Sequence, residues 1–390
     1  MKVLGDVRVL DLGSFITGPY AAMLLADLGA DVIKVERPGA GDPFRGHDAG
    51  SYSHQFQAYN RHKRSITLDY SKPEGRSVLM GLVKNADVVV VNTRPGVADD
   101  KGIGFEALQK INPRLIYCAI TGFGREGPYS RRPAFDTVGQ SLSGWITLFH
   151  TGDDPRIAGP AVTDAYTGLF ASYGILGALY ERERSGRGRL VEVNMLEATL
   201  AFATEPLAHY FTHGENPQPY SRAAVSQTFV FRCADDKRIG VHMSSPEKFW
   251  TNMVRAVDCS AVTSDPRFST RGKRVENYAA LGETLAAQFR KRSRDDWMAR
   301  LEACDVPFAP VHQFDEVADD PQVAALDSFL CDEHPQFGPI RGVRRPVHYD
   351  GSRDIETRPP PALGEHTEEL LTELGLDNEK IADLRGNGIV

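Results

Sequence analysis

Short apolar segments that alternate with helical patterns are the strongest constraint on the fold of this chain. They lie at residues 7–10 (VRVL), 30–36 (ADVIKVE), 87–92 (DVVVVN) and 115–121 (LIYCAIT). Strands this apolar are typical of a parallel sheet whose two faces are both covered by helices. The first half of the 390-residue chain is therefore predicted to form a doubly wound α/β domain.

Capping signals mark where the intervening helices begin and end. Thr17 can cap a helix that has Pro19 in its first turn, and Gly29 can end that helix. Ser71 and Glu74 form a capping-box pattern for a helix that runs to about residue 85. These signals give the strand–helix–strand order that a parallel sheet requires.

Changes in pattern and composition divide the rest of the chain. A long helix is predicted over residues 165–184, followed by a strand at 190–193 and a helix at 197–211. The stretch that begins at residue 212 (THGENPQPYS) is rich in Pro, Gly and Asn, which indicates a linker. The predicted organisation is a large domain over residues 1–211 completed by 325–390, a linker at 212–227, and a small α+β domain over 228–324.

Charge and cysteine content narrow the classes of partner. The net charge of −7 gives no reason to expect a nucleic-acid backbone as a partner. No apolar run reaches about 18 residues and the N-terminus has no signal-peptide core, so no membrane association is expected. The five cysteines lack CxxC or CxxH spacing, which argues against a disulfide framework and a zinc site. We therefore expect a cytoplasmic protein without a bound metal.

The ends of the predicted strands are where a ligand is expected. In an open parallel sheet, ligands bind beyond the carboxyl ends of the strands. Those ends offer Arg37, Asn92 and Arg94, and the segment NRHKR adds Lys63 and Arg64 nearby. Cations and backbone amides of this kind suit a phosphorylated ligand, although each basic residue could equally be a solvated surface charge.

A dinucleotide-dependent oxidoreductase is the first alternative for such a site. Glu36 ends the second strand, where an acid that binds a ribose would lie. The first turn, however, reads Gly13-Ser-Phe-Ile-Thr-Gly18 and not G-x-G-x-x-G. The tight pyrophosphate-binding turn is therefore missing, which disfavours this alternative.

Asp164 is the strongest candidate for a catalytic residue. It lies at the start of the long helix, where the helix dipole and free backbone amides are expected to keep the carboxylate ionised. An ionised carboxylate can attack an activated acyl group. The alternative is that Asp164 is an ordinary helix cap. Asp136, in the segment RPAFDT, is either a second carboxylate in the same pocket or another helix cap.

A resemblance to a known family extends over nearly the whole chain. The segments that carry it are residues 7–42, 60–76, 90–96, 111–129, 132–144, 163–188 and 363–376. They include VRVLDLGSFITGPYAAMLLADLGADVIKVERPGAGD at the start and LGEHTEELLTELGL near the end. With these segments the chain resembles the class III coenzyme A transferases, a family that contains formyl-CoA and succinyl-CoA-dependent transferases and racemase relatives.

The resemblance implies a fold, an assembly and a reaction. The fold is a Rossmann-like large domain with a smaller α+β domain, and two subunits interlock as rings in a homodimer. The nucleophilic aspartate of the family corresponds to Asp164. An acyl-CoA, with succinyl-CoA as the first candidate, would acylate this carboxylate, and the CoA thiolate would convert the anhydride to an aspartyl-CoA thioester. A second carboxylic acid would reverse these steps, so CoA thioesters are substrates and no permanently bound cofactor is implied.

The resemblance also implies a set of residues that contact CoA. They are Arg37, Leu68, Ser71, Asn92, Thr93, Arg94, Phe135 and Asp136. Many members of the family carry an arginine where this chain has Asp100. The adjacent Lys101 is expected to supply the missing positive charge.

Two departures from the family pattern bear on the reaction. Formyl-CoA enzymes have a glutamine at the position of Ile16, which weighs against formyl-CoA as the substrate. Racemase relatives have a histidine at the position of Phe135, so a 2-methylacyl-CoA racemase would lack one member of its acid–base pair. A CoA transferase is therefore expected, with a racemase and a catalytically silent CoA-binding protein as the alternatives.

Overall fold

The described residues of the chain fall into two compact units. A computed structural model describes residues 2–47, 52–149, 157, 159–244 and 247–390. The first unit comprises Met1–Ile146, Pro155–Phe211 and Ser328–Val390, and the second comprises Thr147–Asp154 and Thr212–Asp327.

A six-stranded parallel sheet forms the centre of the first unit. Its strands are β1 (Arg8–Asp11), β2 (Asp31–Glu36), β3 (Lys63–Thr67), β4 (Val88–Val91), β5 (Ile116–Thr121) and β6 (Leu190–Asn194). The order is β3-β2-β1-β4-β5-β6, which is the order of a doubly wound Rossmann sheet. Leu10 in β1 lies opposite Ile33 in β2 and Val89 in β4. The α/β fold with a parallel sheet is therefore confirmed, and the strand order reverses between β1 and β4.

Helices precede and follow these strands along the chain. They are α1 (Thr17–Ala26), α2 (His54–Asn60), α3 (Pro73–Lys84), α4 (Val97–Asp100), α5 (Phe105–Ile111), α6 (Asp136–Leu142), α7 (Val162–Ser185), α8 (Met195–Phe202) and α9 (Thr204–His213). Short 3₁₀ helices lie at Pro43–Gly46 and Trp145–Leu148. The single helix predicted over 197–211 is thus two helices, separated at Ala203.

The second unit combines a small antiparallel sheet with helices. Its strands are β7 (Thr228–Arg232), β8 (Arg238–His242) and β9 (Phe308–Val311), in the order β7-β8-β9. Its helices are α10 (Ser221–Ser226), α11 (Lys248–Val257), α12 (Ser260–Thr263), α13 (Arg271–Glu276), α14 (Tyr278–Phe289), α15 (Arg294–Ala303), α16 (Phe314–Val317) and α17 (Pro321–Ala325), with a 3₁₀ turn at Pro266–Phe268. The segment 212–227, predicted as a linker, thus contains the short helix α10.

The C-terminal residues return to the first unit. They form the antiparallel hairpin β10 (Phe329–His334) and β11 (Gly338–Val343), followed by α18 (Thr367–Glu373) and α19 (Asn378–Gly386). None of the helices among the described residues is long and apolar enough to cross a membrane.

Both faces of the parallel sheet are buried under helices. Successive side chains of a strand point to opposite faces. Leu10 therefore packs in one cluster with Leu79 of α3 and Leu370 of α18, whereas Val9 packs in a second cluster with Leu25 of α1. This double burial explains why the strands are apolar along their whole length.

Glycines allow α7 to lie unusually close to its neighbours. A Cβ atom on Gly168 would come within 2.9 Å of Tyr20 Cδ1 in α1. A Cβ atom on Gly174 would lie 2.8 Å from Val191 Cγ1 in β6. Close packing of α7 against α1 and the sheet therefore requires these glycines, and it fixes the start of α7 relative to the carboxyl ends of the strands.

Three local predictions in the first unit are wrong. Thr17 does not cap α1, because this helix begins at Thr17, after Ile16, and has no capping side chain. Strand β3 was not predicted, and its first two residues, Lys63 and Arg64, were expected to face a ligand. Both side chains are instead buried in the sheet. The capping box at Ser71 is also absent, because α3 begins after Lys72 and the Ser71 hydroxyl donates to Asp69 Oδ1 at 2.5 Å.

Candidate active site

A buried network of charges lies beneath the loop that joins β1 to α1. Lys63 Nζ donates to Asp11 Oδ2, Asn60 Oδ1 and the Pro19 carbonyl, each at 2.8 Å. Lys34 Nζ lies 2.9 Å from Asp42 Oδ2 and 3.1 Å from the carbonyl of Gly13. Burial penalises the charge on Lys34, but Asp11 and Asp42 outweigh this penalty and raise its pKa. Lys63 therefore has a structural role, and it cannot be the ligand-binding cation expected from the sequence.

This network and Asn92 hold the β1–α1 loop in one conformation. Asp42 Oδ1 accepts a hydrogen bond from the Phe15 amide at 3.2 Å. Asn92 Oδ1 accepts one from the Ser14 amide at 2.9 Å, and its Nδ2 donates to the Ser14 carbonyl at 2.7 Å and to Thr17 Oγ1 at 3.0 Å. Phe15 has a φ of 63°, which is a left-handed conformation that a bulky residue rarely adopts. The side chain of Asn92, expected to contact CoA, is thus occupied in positioning the loop.

Two cavities open on either side of this loop at the carboxyl edge of the sheet. The first, called here the β2–β3 cavity, has a volume of about 680 Å³ and contains the expected residues Arg37, Leu68, Ser71 and Lys101. The second, the β4–β5 cavity, has a volume of about 340 Å³ and contains Asn92, Thr93, Arg94, Phe135 and Asp164. The loop lines the first cavity with Gly13 and Ser14 and the second with Phe15, Ile16 and Thr17.

The β2–β3 cavity carries two cations suited to an anionic ligand. Arg37 and Lys101 are exposed, and neither forms a salt bridge with any of the described residues. Glu36, the candidate ribose-binding acid, is instead buried with Arg45 Nη2 2.7 Å from its Oε1, and the Ser65 hydroxyl donates to the same oxygen. Glu36 is therefore unavailable to a ribose, which removes the remaining feature in favour of a dinucleotide enzyme.

Asp164 lies in the first turn of α7 and lines the β4–β5 cavity. The position that caps this helix belongs to Ala161, so Asp164 is not its N-cap. The carboxylate of Asp136 in α6 takes that role: its Oδ1 accepts from the Thr163 amide at 2.8 Å and from the Asp164 amide at 3.4 Å. Gln140 Nε2 donates a hydrogen bond to the other oxygen of Asp136, Oδ2, at 2.6 Å. Asp136 thus caps the neighbouring helix, and it does not line either cavity.

The pKa of Asp164 is shifted in the direction opposite to that expected from the sequence. Burial raises the pKa of this carboxyl from its ordinary 3.8 to about 7, and the negative charge of Asp136 adds to the effect. The helix amides that were expected to stabilise its charge are bound to Asp136 instead. A carboxylate of higher pKa is a stronger nucleophile once it is ionised. The expectation that helix position alone keeps Asp164 fully ionised is therefore wrong.

Aromatic and apolar side chains form much of the wall around Asp164. The ring of Phe15 lies 5.7 Å from that of Phe135 and 5.3 Å from that of Phe44, both edge-on. Phe44 in turn stacks on Tyr59 of α2 at 6.4 Å. Burial raises the pKa of the Tyr59 hydroxyl, and the charge of Asp164 contributes to this rise.

Tyr59 and Arg132 belong to this region although no sequence motif identified them as site residues. Tyr59 lies in α2 and not at the carboxyl end of a strand, where ligand-binding residues were expected. Arg132 lines the β4–β5 cavity, and the signal that could have found it is its place at the start of the segment RPAFDT, which carries part of the family resemblance. No group of three or more metal-binding side chains occurs in the part of the chain that the structure describes.

The raised pKa of Asp164 predicts a specific dependence of stability on pH. The unfolded carboxyl ionises near pH 4 and the folded one near pH 7, so the free energy of unfolding falls as pH rises between these values. Asp164→Asn removes this penalty. The thermal midpoint of the variant should exceed that of the native protein by a margin that grows from pH 4 to pH 7 and then levels off.

Asp69→Asn is the matched control for this measurement. Hydrogen bonds from Ser71 lower the pKa of Asp69, so its loss should destabilise the protein at neutral pH. A margin for Asp164→Asn that does not change with pH would contradict the raised pKa.

Comparison with known proteins is consistent with a CoA-binding site of this kind. The family model described as "CoA-transferase family III" matches residues 4–367. Succinyl-CoA:glutarate CoA-transferase of Mus musculus is 33% identical over 100% of this chain and 91% of its own. Acetyl-CoA:oxalate CoA-transferase of Acetobacter aceti is 34% identical over 95% of this chain and 96% of its own.

A solved structure extends the similarity to the fold. A CAIB/BAIF family protein from Brucella suis superposes with a TM-score of 0.84 at 32% identity, covering 95% of this chain and 99% of that protein. The resemblance recognised in the sequence is therefore confirmed. This chain is an enzyme that belongs to CoA-transferase family III.

Proposed function

We propose that this enzyme moves CoA from an acyl-CoA to a carboxylic acid, with Asp164 as the covalent nucleophile. The observation that carries the proposal is a half-buried carboxylate of raised pKa on the wall of the β4–β5 cavity. Succinyl-CoA is the proposed donor, because relatives that act on succinyl-CoA include the Mus musculus enzyme and the succinyl-CoA–D-citramalate CoA-transferase of Chloroflexus aurantiacus.

The two cavities suit the two ends of a CoA thioester. The nucleotide lies in the β2–β3 cavity, where Arg37 and Lys101 bind its phosphates and the buried Leu68 forms part of the cavity floor. The pantetheine arm crosses the β1–α1 loop, and the thioester enters the β4–β5 cavity beside Thr93 and Arg94. This arrangement follows the general rule that ligands of open α/β sheets bind where the strand order reverses.

The reaction consists of four acyl-transfer steps. The ionised carboxylate of Asp164 attacks the thioester carbonyl, the C–S bond breaks, and a mixed anhydride and the CoA thiolate are formed. The thiolate attacks the aspartyl carbonyl of the anhydride, which gives an aspartyl-CoA thioester and releases the donor acid. The acceptor carboxylate then attacks this thioester, and the freed thiolate attacks the acceptor acyl group. The product acyl-CoA leaves and the carboxylate of Asp164 is restored.

The charge of Asp136 favours the first of these steps. Asp164 carries a negative charge close to Asp136 before the attack, and it is neutral once it is acylated. The repulsion between the two carboxylates is therefore relieved during acylation, which lowers the barrier. Because one thioester replaces another, the reaction requires neither ATP nor a permanently bound cofactor.

The racemase alternative has no support from the site. It needs a second acid–base group next to Asp164. None of the described residues that line the β4–β5 cavity is a histidine, and Phe135 occupies the position at which the racemase relatives carry one.

We further propose that the enzyme is the interlocked homodimer implied by its family, and that it is located in the cytoplasm. An apolar stripe on α7 supports a covered surface: Leu169, Tyr173 and Tyr180 are 46%, 73% and 69% exposed. The five cysteines are all free, which suits a reducing compartment. Analytical ultracentrifugation at micromolar concentration should give twice the chain mass of 43.0 kDa. A mass of a single chain would contradict the dimer.

Removal of the nucleophile tests the proposed reaction. Asp164→Ala should lower the rate of CoA transfer from succinyl-CoA by at least about 10³-fold, because no covalent intermediate can form. Binding of CoA, measured by calorimetry, should stay within about threefold, since both CoA-contacting cavities remain.

Asp99→Ala is the control for that experiment, since Asp99 is exposed and lines neither cavity. It should leave the rate unchanged. Turnover of Asp164→Ala close to that of the native enzyme would reject Asp164 as the nucleophile.

A further inference from the structure

Two arginines share the β4–β5 cavity with Asp164. Arg94 follows β4, and Arg132 follows β5. Both are exposed, and neither forms a salt bridge within the described ranges of the chain. A cation that faces a cavity without a carboxylate partner is available to an anionic group of a ligand.

Arg132 is held in place by its own segment. Its guanidinium lies 4.0 Å from the centre of the Tyr129 ring, an interaction that restrains the long side chain. Its amide donates to the Tyr129 carbonyl at 2.9 Å. The segment is also packed tightly, because a Cβ atom on Gly122 would lie 2.4 Å from Ala134 Cβ. These contacts therefore hold the positive charge of Arg132 at one position on the edge of the cavity.

The order of the strands separates Arg132 from the part of the site that binds nucleotide. The β2–β3 cavity lies at the ends of β1, β2 and β3, with Arg37 and Lys101 available to phosphates. A CoA ester that extends from there meets the end of β4, with Arg94, before the end of β5. Arg132 thus lies on the far side, where the acyl group follows the thioester.

The character of the cavity wall leaves few positions for a second carboxylate. Phe15, Ile16 and Met195 are apolar parts of this wall, and an unpaired charge against them would lose its hydration. Asp164 and Asp136 make the nucleophile end negative and repel a further anion. Thr93 and Thr121 also line the cavity and can donate hydrogen bonds, but only the two arginines supply a positive charge among its described lining residues, so a distal carboxylate is stabilised most strongly next to them.

We propose that Arg132 binds the distal carboxylate of a dicarboxylic acyl group and so selects short dicarboxylic acids over monocarboxylic acids of the same length. The inference rests on the proposed function, and it assigns substrate selection to a residue outside the expected CoA contacts. Arg94 remains a contact of the CoA arm.

The test compares two donors of equal chain length, succinyl-CoA and butyryl-CoA. Each is assayed with one fixed acceptor acid, because kcat/KM for the donor of a ping-pong enzyme reports only the first half-reaction. The native enzyme should prefer succinyl-CoA. Arg132→Leu should lower kcat/KM for succinyl-CoA by about 10- to 100-fold, the size expected for a lost charge-assisted hydrogen bond, and change butyryl-CoA by less than about threefold.

Two further variants sharpen the assignment. Arg131→Leu is the matched control, since Arg131 is an exposed neighbour that lines neither cavity, and it should leave both donors unchanged. Arg132→Lys keeps the charge and should recover part of the preference for succinyl-CoA.

Three outcomes would overturn the inference. Equal losses for both donors in Arg132→Leu would show that Arg132 binds the CoA portion. A native enzyme that does not prefer succinyl-CoA over butyryl-CoA would show that the site does not recognise a distal carboxylate. A native enzyme that transfers CoA from no acyl-CoA at all would reject the proposed function itself, and this assignment with it.

Discussion

The site depends on two lysines that are buried under the β1–α1 loop. Lys34 and Lys63 would each cost several kcal/mol to bury without partners. Asp11 and Asp42 neutralise them, and these same carboxylates accept hydrogen bonds from loop amides, Asp11 from Gly13 and Asp42 from Phe15. The loop cannot move without breaking contacts of a buried charge network. This rigidity maintains the left-handed conformation at Phe15, a strain of about 1–3 kcal/mol, and it defines both cavities, since the loop lines each of them.

A second long-range contact determines the surroundings of Asp164, the proposed nucleophile. Asp136 reaches from α6 to the first amides of α7, so the helix end that carries Asp164 is capped by a different helix. The capping carboxylate leaves no helix amide to stabilise Asp164 and adds a negative charge beside it. The native structure is destabilised at this position, as is common for residues whose strain is relieved during the reaction. In the proposed reaction, acylation of Asp164 removes one of the two charges.

The parallel sheet and the position of Asp164 could be predicted from the sequence, because both depend on local patterns. Apolar runs mark strands that are buried on both faces, and the helix signal around Asp164 is continuous. Strand β3 could not be predicted in this way, since its sequence KRSIT begins with two cations. Lys63 is tolerated inside the sheet because Asp11 neutralises it, and Arg64 because Asp31, Glu369 and Glu373 do. All of these partners are distant in sequence.

The pKa shift of Asp164 could not be predicted from the local sequence either. The helix dipole predicts an ionised Asp164, but burial and a carboxylate 28 residues away reverse the sign of the shift. The full set of expected CoA contacts comes from the family resemblance, although position at the strand ends also indicates Arg37, Asn92 and Arg94. Of these, Asn92 illustrates the limit of such transfer, because its side chain holds the loop. Arg132 was missed although it begins the segment RPAFDT, because an arginine in a loop has the same local pattern whether it binds a ligand or is a solvated charge.

We propose that the carboxyl group of Asp164 becomes covalently activated during turnover, first as an anhydride and then as a CoA thioester. The most direct measurement is peptide mass spectrometry after the enzyme is incubated with succinyl-CoA alone and quenched with hydroxylamine, which converts an aspartyl anhydride or thioester to a stable hydroxamate. The hydroxamate is expected on the peptide that contains Asp164, and no hydroxamate is expected when succinyl-CoA is left out. A modification on another residue, or an enzyme that turns over without any adduct at Asp164, would contradict this proposal.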